Sequence, residues 1–193
     1  MVKYKIAISG KANSGKSTTA KLFENTIPGK SKIIALADPM KQIVKTIFPE
    51  ARDECLYGPS ELRSEIIDKK YINMYGSPLT HRQALLAIGA FGRSYNNDIW
   101  LNMLVSDANS SKSINTYIVS DARFSNEFSY LKQSGFTMIR LIRKNSTHIN
   151  DVSETEQDSI DNSEFDYVIY NDGTIDNLQQ EVKNISHKLM GLM

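Results

Sequence analysis

The chain has 193 residues and a mass of 21.8 kDa, enough for one domain with a hydrophobic core of its own. Lys plus Arg number 23 and Asp plus Glu 22, a net charge of +1, which excludes a whole-surface polyanion binder but not a local basic pocket. The single cysteine, Cys55, excludes an internal disulfide and suits a reducing compartment.

In chain order, the apolar run Lys5 to Ser9 reads as a buried strand. Gly10 to Ser17 follows at once, and Ser17 to Glu24 reads as a helix. Lys32 to Leu36 is a second strand, and Pro39 to Phe48 a helix with Met40, Ile43, Val44 and Ile47 on one face. Residues 49–79 are polar and punctuated by Gly58, Pro59, Gly76 and Pro78, an insert expected on the substrate side. Thr80-His81-Arg82-Gln83 is a capping-box pattern that opens another helix. Thr116 to Ser120, Thr137 to Ile142 and Tyr167 to Tyr170 complete five strands, with a helix from Phe124 to Ser134 and a last helix capped by Thr174. Residues 144–165 are acidic and polar and read as a solvated face or a lid. Strands alternating with helices predict a single α/β domain over 1–193, a five-stranded parallel sheet with helices on both faces.

No run approaches the roughly eighteen apolar residues of a membrane span, and the N-terminus lacks the long apolar region of a signal peptide. The expectation is a cytoplasmic protein with no membrane and no nucleic-acid partner.

In such sheets ligands bind beyond the carboxyl ends of the strands. Gly10-Lys11-Ala12-Asn13-Ser14-Gly15-Lys16-Ser17 matches G-x-x-x-x-G-K-[ST], between a strand and a helix. Glycines let the backbone N–H groups turn inward on phosphate oxygens, and the helix adds its positive end. Lys16 reaches the β- and γ-phosphates, and the Ser17 hydroxyl is a magnesium ligand. The expected ligands are therefore a nucleoside triphosphate and Mg2+.

Asp121 stands where a strand-end carboxylate would support the metal shell. A lone Asp there is more often a helix cap; the phosphate loop and Arg123 favour the functional reading. The guanine-selecting N-K-x-D and switch D-x-x-G patterns of signalling GTPases are absent from the sequence. Transfer between two phosphates needs cations on the moving group, and Arg82, Arg93, Arg123 and Arg143 are the arginines expected near strand or helix ends. Trp100 reads as a core residue at a helix start, and His81, His148 and His187 have no ligand spacing.

Several blocks resemble the phage-type deoxynucleoside monophosphate kinases. They are Gly10 to Thr18, Ala37-Asp38-Pro39-Met40-Lys41, Arg82 with Gly89, Arg93 and Trp100, Ser120 to Glu127, Gly135, Arg143, Ser153-Glu154, and Asn171-Asp172-Gly173-Thr174 with Leu178. Dephospho-coenzyme A and phosphomevalonate kinases show partly similar stretches.

The resemblance implies a P-loop, nucleoside monophosphate kinase-like fold that transfers the γ-phosphate of ATP to a deoxynucleoside 5′-monophosphate. It implies donor phosphates on Lys16 and the loop from Gly10 to Thr18, and magnesium on Ser17 with Asp121 in its shell. Asp38 and Lys41 would face the acceptor, with Arg82, Arg93 and Trp100 on its phosphate and base. Arg143 would act from a lid, and Asn171, Gly173 and Thr174 would lie by the adenine. A homodimer is the family expectation. Leu86-Ala87 and Gly89-Ala90 depart from a Leu-Gln and Gly-Thr pattern, which bears on base selection. The rival readings are a P-loop kinase for another acceptor and a non-catalytic nucleotide-binding regulator.

Overall fold

The computed structural model describes residues 3–11, 13–144 and 159–192. Ala12 and most of 144–165, including His148, Ser153 and Glu154, lie outside the described residues. The chain divides into two compact units, residues 1–36 with 105–193, and residues 37–104.

The first unit is built on a parallel sheet of β1 (Tyr4–Ser9), β2 (Ser31–Ile34), β3 (Thr116–Ala122), β4 (Thr137–Ile142) and β5 (Tyr167–Tyr170), in the order β2-β3-β1-β4-β5. This is the α/β fold expected from the sequence. β1 is central, and its apolar run Ile6-Ala7-Ile8 is fully buried, as a strand covered on both faces requires. Its alternation splits the core. Ile6 and Ile8 join Ile118, Ile139, Leu141 and Ile169 on one face. There they meet Ala20 and Phe23 of α1 (Lys16–Thr26) and Leu178, Val182 and Ile185 of the last helix (Ile175–Met190). That helix is capped as expected: Thr174 Oγ1 accepts from Asn177 N at 3.3 Å, and Gly191 ends it in the left-handed region.

The carboxyl ends of two strands differ from expectation. β2 stops at Ile34, not Leu36, because the Leu36 amide donates to the Asp121 carboxylate at 2.8 Å instead of joining the ladder. β3 runs on through Asp121 to Ala122, because a register shift between Ala7 and Ser9 brings Ser9 opposite Ala122.

The second unit holds α2 (Asp38–Ile47), α3 (Asp53–Tyr57), a 3-10 turn at Ser60–Ser64 and α4 (His81–Tyr95). α5 (Ile99–Ser110) starts in it, and α6 (Ser125–Gln133) and α7, the last helix, belong to the first unit. The stretch 49–79 is not a bare loop. Ala51, Leu56 and Ile67 are buried with Val44 and Ala84, flanked by Phe48, Tyr71, Leu79, Leu85 and Ile88. Two isolated bridges, Ile66 to Thr80 and Ile72 to Pro78, fold its second half back on itself.

A buried histidine fastens these segments. His81 Nε2 accepts from the Arg52 amide at 3.0 Å, and Nδ1 lies 2.8 Å from the Glu65 carbonyl. Nε2 is thus the acceptor and Nδ1–H the donor, the neutral tautomer. His81→Leu leaves the Arg52 amide without its partner and takes one of two donors from the Glu65 carbonyl, which keeps the backbone N–H of residue 81. We expect a loss of about 2–4 kcal/mol, read as a lower urea midpoint.

Candidate functional site

In the first unit, the loop after β1 closes on itself. The Ser14 amide donates to the Lys11 carbonyl at 3.2 Å, and Lys16 Nζ donates to the carbonyls of Gly10 and Lys11 at 2.5 and 2.8 Å. Asn13 and Gly15 take left-handed backbone, φ 59° and 102°. A Cβ at Gly15 would lie 2.6 Å from Asn171 Nδ2, and one at Gly10 would lie 2.6 Å from the Leu141 carbonyl. Both glycines are therefore demanded by close approach, not only by the spacing rule.

The start of α1 is shaped for an anion. Among the described residues no side chain caps it, and its first turn holds no acidic residue. Its leading N–H groups and dipole are thus open to phosphate oxygens. The Ser14 hydroxyl is buried in this loop with no hydrogen-bond partner among the described residues. An orphaned buried hydroxyl beside an uncapped helix start fits a phosphate-bearing ligand. Ser17 and Thr18 are exposed in the first turn. The donor set suits magnesium, a hydroxyl from Ser17 and a carboxylate from Asp121.

Asn171, just after β5, donates from Nδ2 to the Ser14 carbonyl at 2.8 Å. Next to it, Asp172 accepts from the Lys144 amide at 2.8 Å. Asn13, Arg143, Lys144 and Asp172 line a cavity of about 540 Å³. The structure thus brings together Asn13, Arg143 and the Asn171–Thr174 loop; Gly173 and Thr174 are exposed there.

Asp121 is half-buried, held by the Leu36 amide. Glu127, part of a quoted block but given no role from sequence, accepts from the amides of Arg123 and Phe124 at 2.7 and 3.0 Å. It caps α6 and fixes the backbone that carries Arg123, which is exposed. Burial, with the Asp121 charge adding, outweighs those two hydrogen bonds and the nearby Arg123 charge, and raises the Glu127 carboxyl to about 7.

In the second unit, Asp38 opens α2 and pairs with Lys41 at 2.7 Å. Arg82 and Arg93 both lie on α4, exposed. Sequence groups four arginines at one sheet edge. The structure puts Arg123 after β3 and Arg143 after β4, and the other two on a helix of the other unit. Arg82 and Arg93 are eleven residues apart, about 16 Å along the helix. Arg82 donates to the Ser60 carbonyl at 2.9 Å. Arg93 folds back over Gly89: the point where a Gly89 Cβ would sit is 3.4 Å from its guanidinium nitrogens and 3.2 Å from Met40 Sδ of α2. The two arginines are thus not one clamp.

Trp100 is 8% exposed, its Nε1–H points at the Gly89 carbonyl 3.3 Å away, and its ring lies where a Gly92 side chain would go. This is the packing residue that the bare sequence suggested.

A family model described as deoxynucleotide monophosphate kinase matches residues 80–182, more than half of the chain. The chain belongs to the deoxynucleotide monophosphate kinase family. No curated protein matches this kinase by sequence. Among solved structures it is similar to a sugar kinase from Janibacter, at 13% identity and TM-score 0.47, covering 97% of this chain and 94% of that one. It is also similar to the tunicamycin resistance protein of Deinococcus radiodurans, at 14% identity and TM-score 0.43, covering 97% and 93%. Among the described residues of the kinase, no helix is long and apolar enough to cross a membrane, and no group of three or more His, Cys, Asp or Glu is placed to hold a metal.

Two outcomes follow from this geometry. Gly15→Ala puts a methyl against Asn171 in strained backbone and should weaken binding of a nucleotide phosphate donor more than tenfold, measured by titration calorimetry. Glu127 favours its neutral form in the folded state, so its contribution to stability is full below about 4.5 and is lost as pH rises through about 7. Glu127→Gln should flatten that slope, gaining on the parent by up to about 3 kcal/mol above pH 7 in urea titrations.

Proposed function

We propose that this kinase transfers the γ-phosphate of ATP directly to the 5′-phosphate of a deoxynucleoside monophosphate. The observation that carries the reading is the uncapped start of α1 inside the closed loop of Gly10 to Ser17, in a chain of this family. The loop amides and α1 hold the donor phosphates, and the Lys16 ammonium turns from the loop carbonyls to the β- and γ-phosphates. Arg143 and Lys144, beside Asn13, add positive charge near the donor. Ser17 and Asp121 would hold magnesium, which neutralises phosphate charge when bound.

The acceptor needs no general base, because its attacking oxygen is already ionised. Attack is in line, without a covalent enzyme intermediate, and the residues work by positioning and charge. Arg123 meets charge on the moving group. Arg93, beside Met40 of α2, takes the acceptor phosphate; Asp38 and Lys41 face the rest of that molecule. Arg82 acts on the acceptor side from its place on the Ser60 turn, and Trp100 supports α4 from within.

A coupled assay of ADP release with a panel of deoxynucleoside monophosphates tests this. Release that depends on the acceptor supports the kinase reading, and release without acceptor points to a nucleotide-hydrolysing regulator. Lys16→Ala should cut turnover by about a hundredfold or more with an unchanged melting profile. Unchanged turnover in that variant would refute the role given to the loop.

A further inference from the structure

We infer that Tyr57 is a specificity-determining residue that contacts the nucleoside portion of the acceptor, an inference that rests on the acceptor reading above. Three observations within the second unit carry it. The first concerns charge. Lys41 is the natural candidate for an acceptor phosphate, yet its side chain is only 7% exposed and its Nζ lies 2.7 Å from Asp38 Oδ1, itself 19% exposed. The same ammonium sits over the Tyr57 ring, 4.9 Å from its centre. A cation held between a carboxylate and an aromatic face already has its attraction satisfied, and the pair carries no net charge. Such a cluster is a poor trap for a phosphate dianion. It is a good surface for an uncharged ligand that displays donors and acceptors.

The second observation concerns Trp100. Its indole is packed on α4 with its N–H turned to the Gly89 carbonyl, so it offers no face to a base. The third is what stands beside the ion pair instead. Tyr57 ends α3 with half of its surface exposed. The other exposed aromatics of this unit lie elsewhere: Phe91 and Tyr95 lean on each other along α4, and Tyr75 sits on the turn between Asn73 and Ser77. Among the described residues, Tyr57 is the aromatic whose ring meets Lys41.

The chemistry then divides cleanly. The exposed guanidinium of Arg93 suits the phosphate. The Asp38 carboxylate is an acceptor, the Tyr57 hydroxyl is both donor and acceptor, and the ring is apolar. Base edges and sugar hydroxyls present the complements of these groups. The environment of the phenol agrees, since burial and the Asp38 and Asp53 carboxylates all raise its pKa and keep it a neutral hydroxyl able to donate.

The test uses the full chain with saturating ATP and magnesium, each deoxynucleoside monophosphate and each ribonucleotide counterpart. Tyr57→Phe keeps the ring and removes the hydroxyl; Tyr57→Ala removes both. Tyr57→Phe should lower kcat/KM for the best acceptor by about five- to tenfold and change the ranking of acceptors, with the KM for ATP unchanged. Tyr57→Ala should raise the acceptor KM by about tenfold or more, again sparing ATP. A merely structural role would scale every acceptor and ATP together, and that result overturns the inference, as does a wild-type ranking in both variants. If Tyr57→Ala does not fold, Tyr57→Phe alone decides. If the unaltered chain releases no ADP in response to any acceptor, it is the underlying reading that fails.

Discussion

The tight passage of the Gly10–Ser17 loop between β4 and the residues after β5 is the constraint on which the donor site depends. β1 is the middle strand, so its carboxyl end emerges between neighbours on both sides. There is no room for a side chain where Gly10 faces the Leu141 carbonyl or where Gly15 faces Asn171. Once the sheet forms, the loop has one course, and Asn13 on that course lines the cavity with Arg143, Lys144 and Asp172. The entropy of ordering the cradle is met by folding and not by the nucleotide, which favours tight binding.

How much of this was written locally in the chain varies by element. The phosphate loop was legible because its chemistry needs fixed residue types at fixed spacing, all within eight positions. The strands were legible because Ile, Val and Leu run together where both faces of a sheet are covered. Two strand ends were not: Asp121 takes the Leu36 amide from the β2 ladder, a partner 85 residues away that no local pattern announces, and a register shift against β1 carries β3 on to Ala122. The second unit was harder still. Ala51, Leu56, Ile67 and Tyr71 follow no helical or strand period, because their burial is set by backbone folded on backbone at Ile66 and Ile72. His81 looked idle because its partners are main-chain atoms of Arg52 and Glu65. Glu127 stood in a conspicuous block, but only its two amide contacts tell what it does.

The arginines show the same divide at the level of function. Arg123 and Arg143 follow β3 and β4, strands whose existence the sequence predicts. Arg82 and Arg93 were placed by a helix whose register puts them three turns apart, so their separation follows from 3.6 residues per turn. The small net charge of the chain thus conceals local choices: Lys41 is neutralised where it stands, while Arg93 and Arg143 are left at the surface.

The hydrogen bond from Asn171 to the Ser14 carbonyl spans 157 positions. The loop after β1 is thereby completed by a residue synthesised long after it, just beyond β5. A nascent chain that has made the whole glycine-rich motif still lacks the amide that fixes its curvature. Closure of the loop waits for β5 to dock beside β4, a non-local step. The order of synthesis therefore separates making the motif from shaping it.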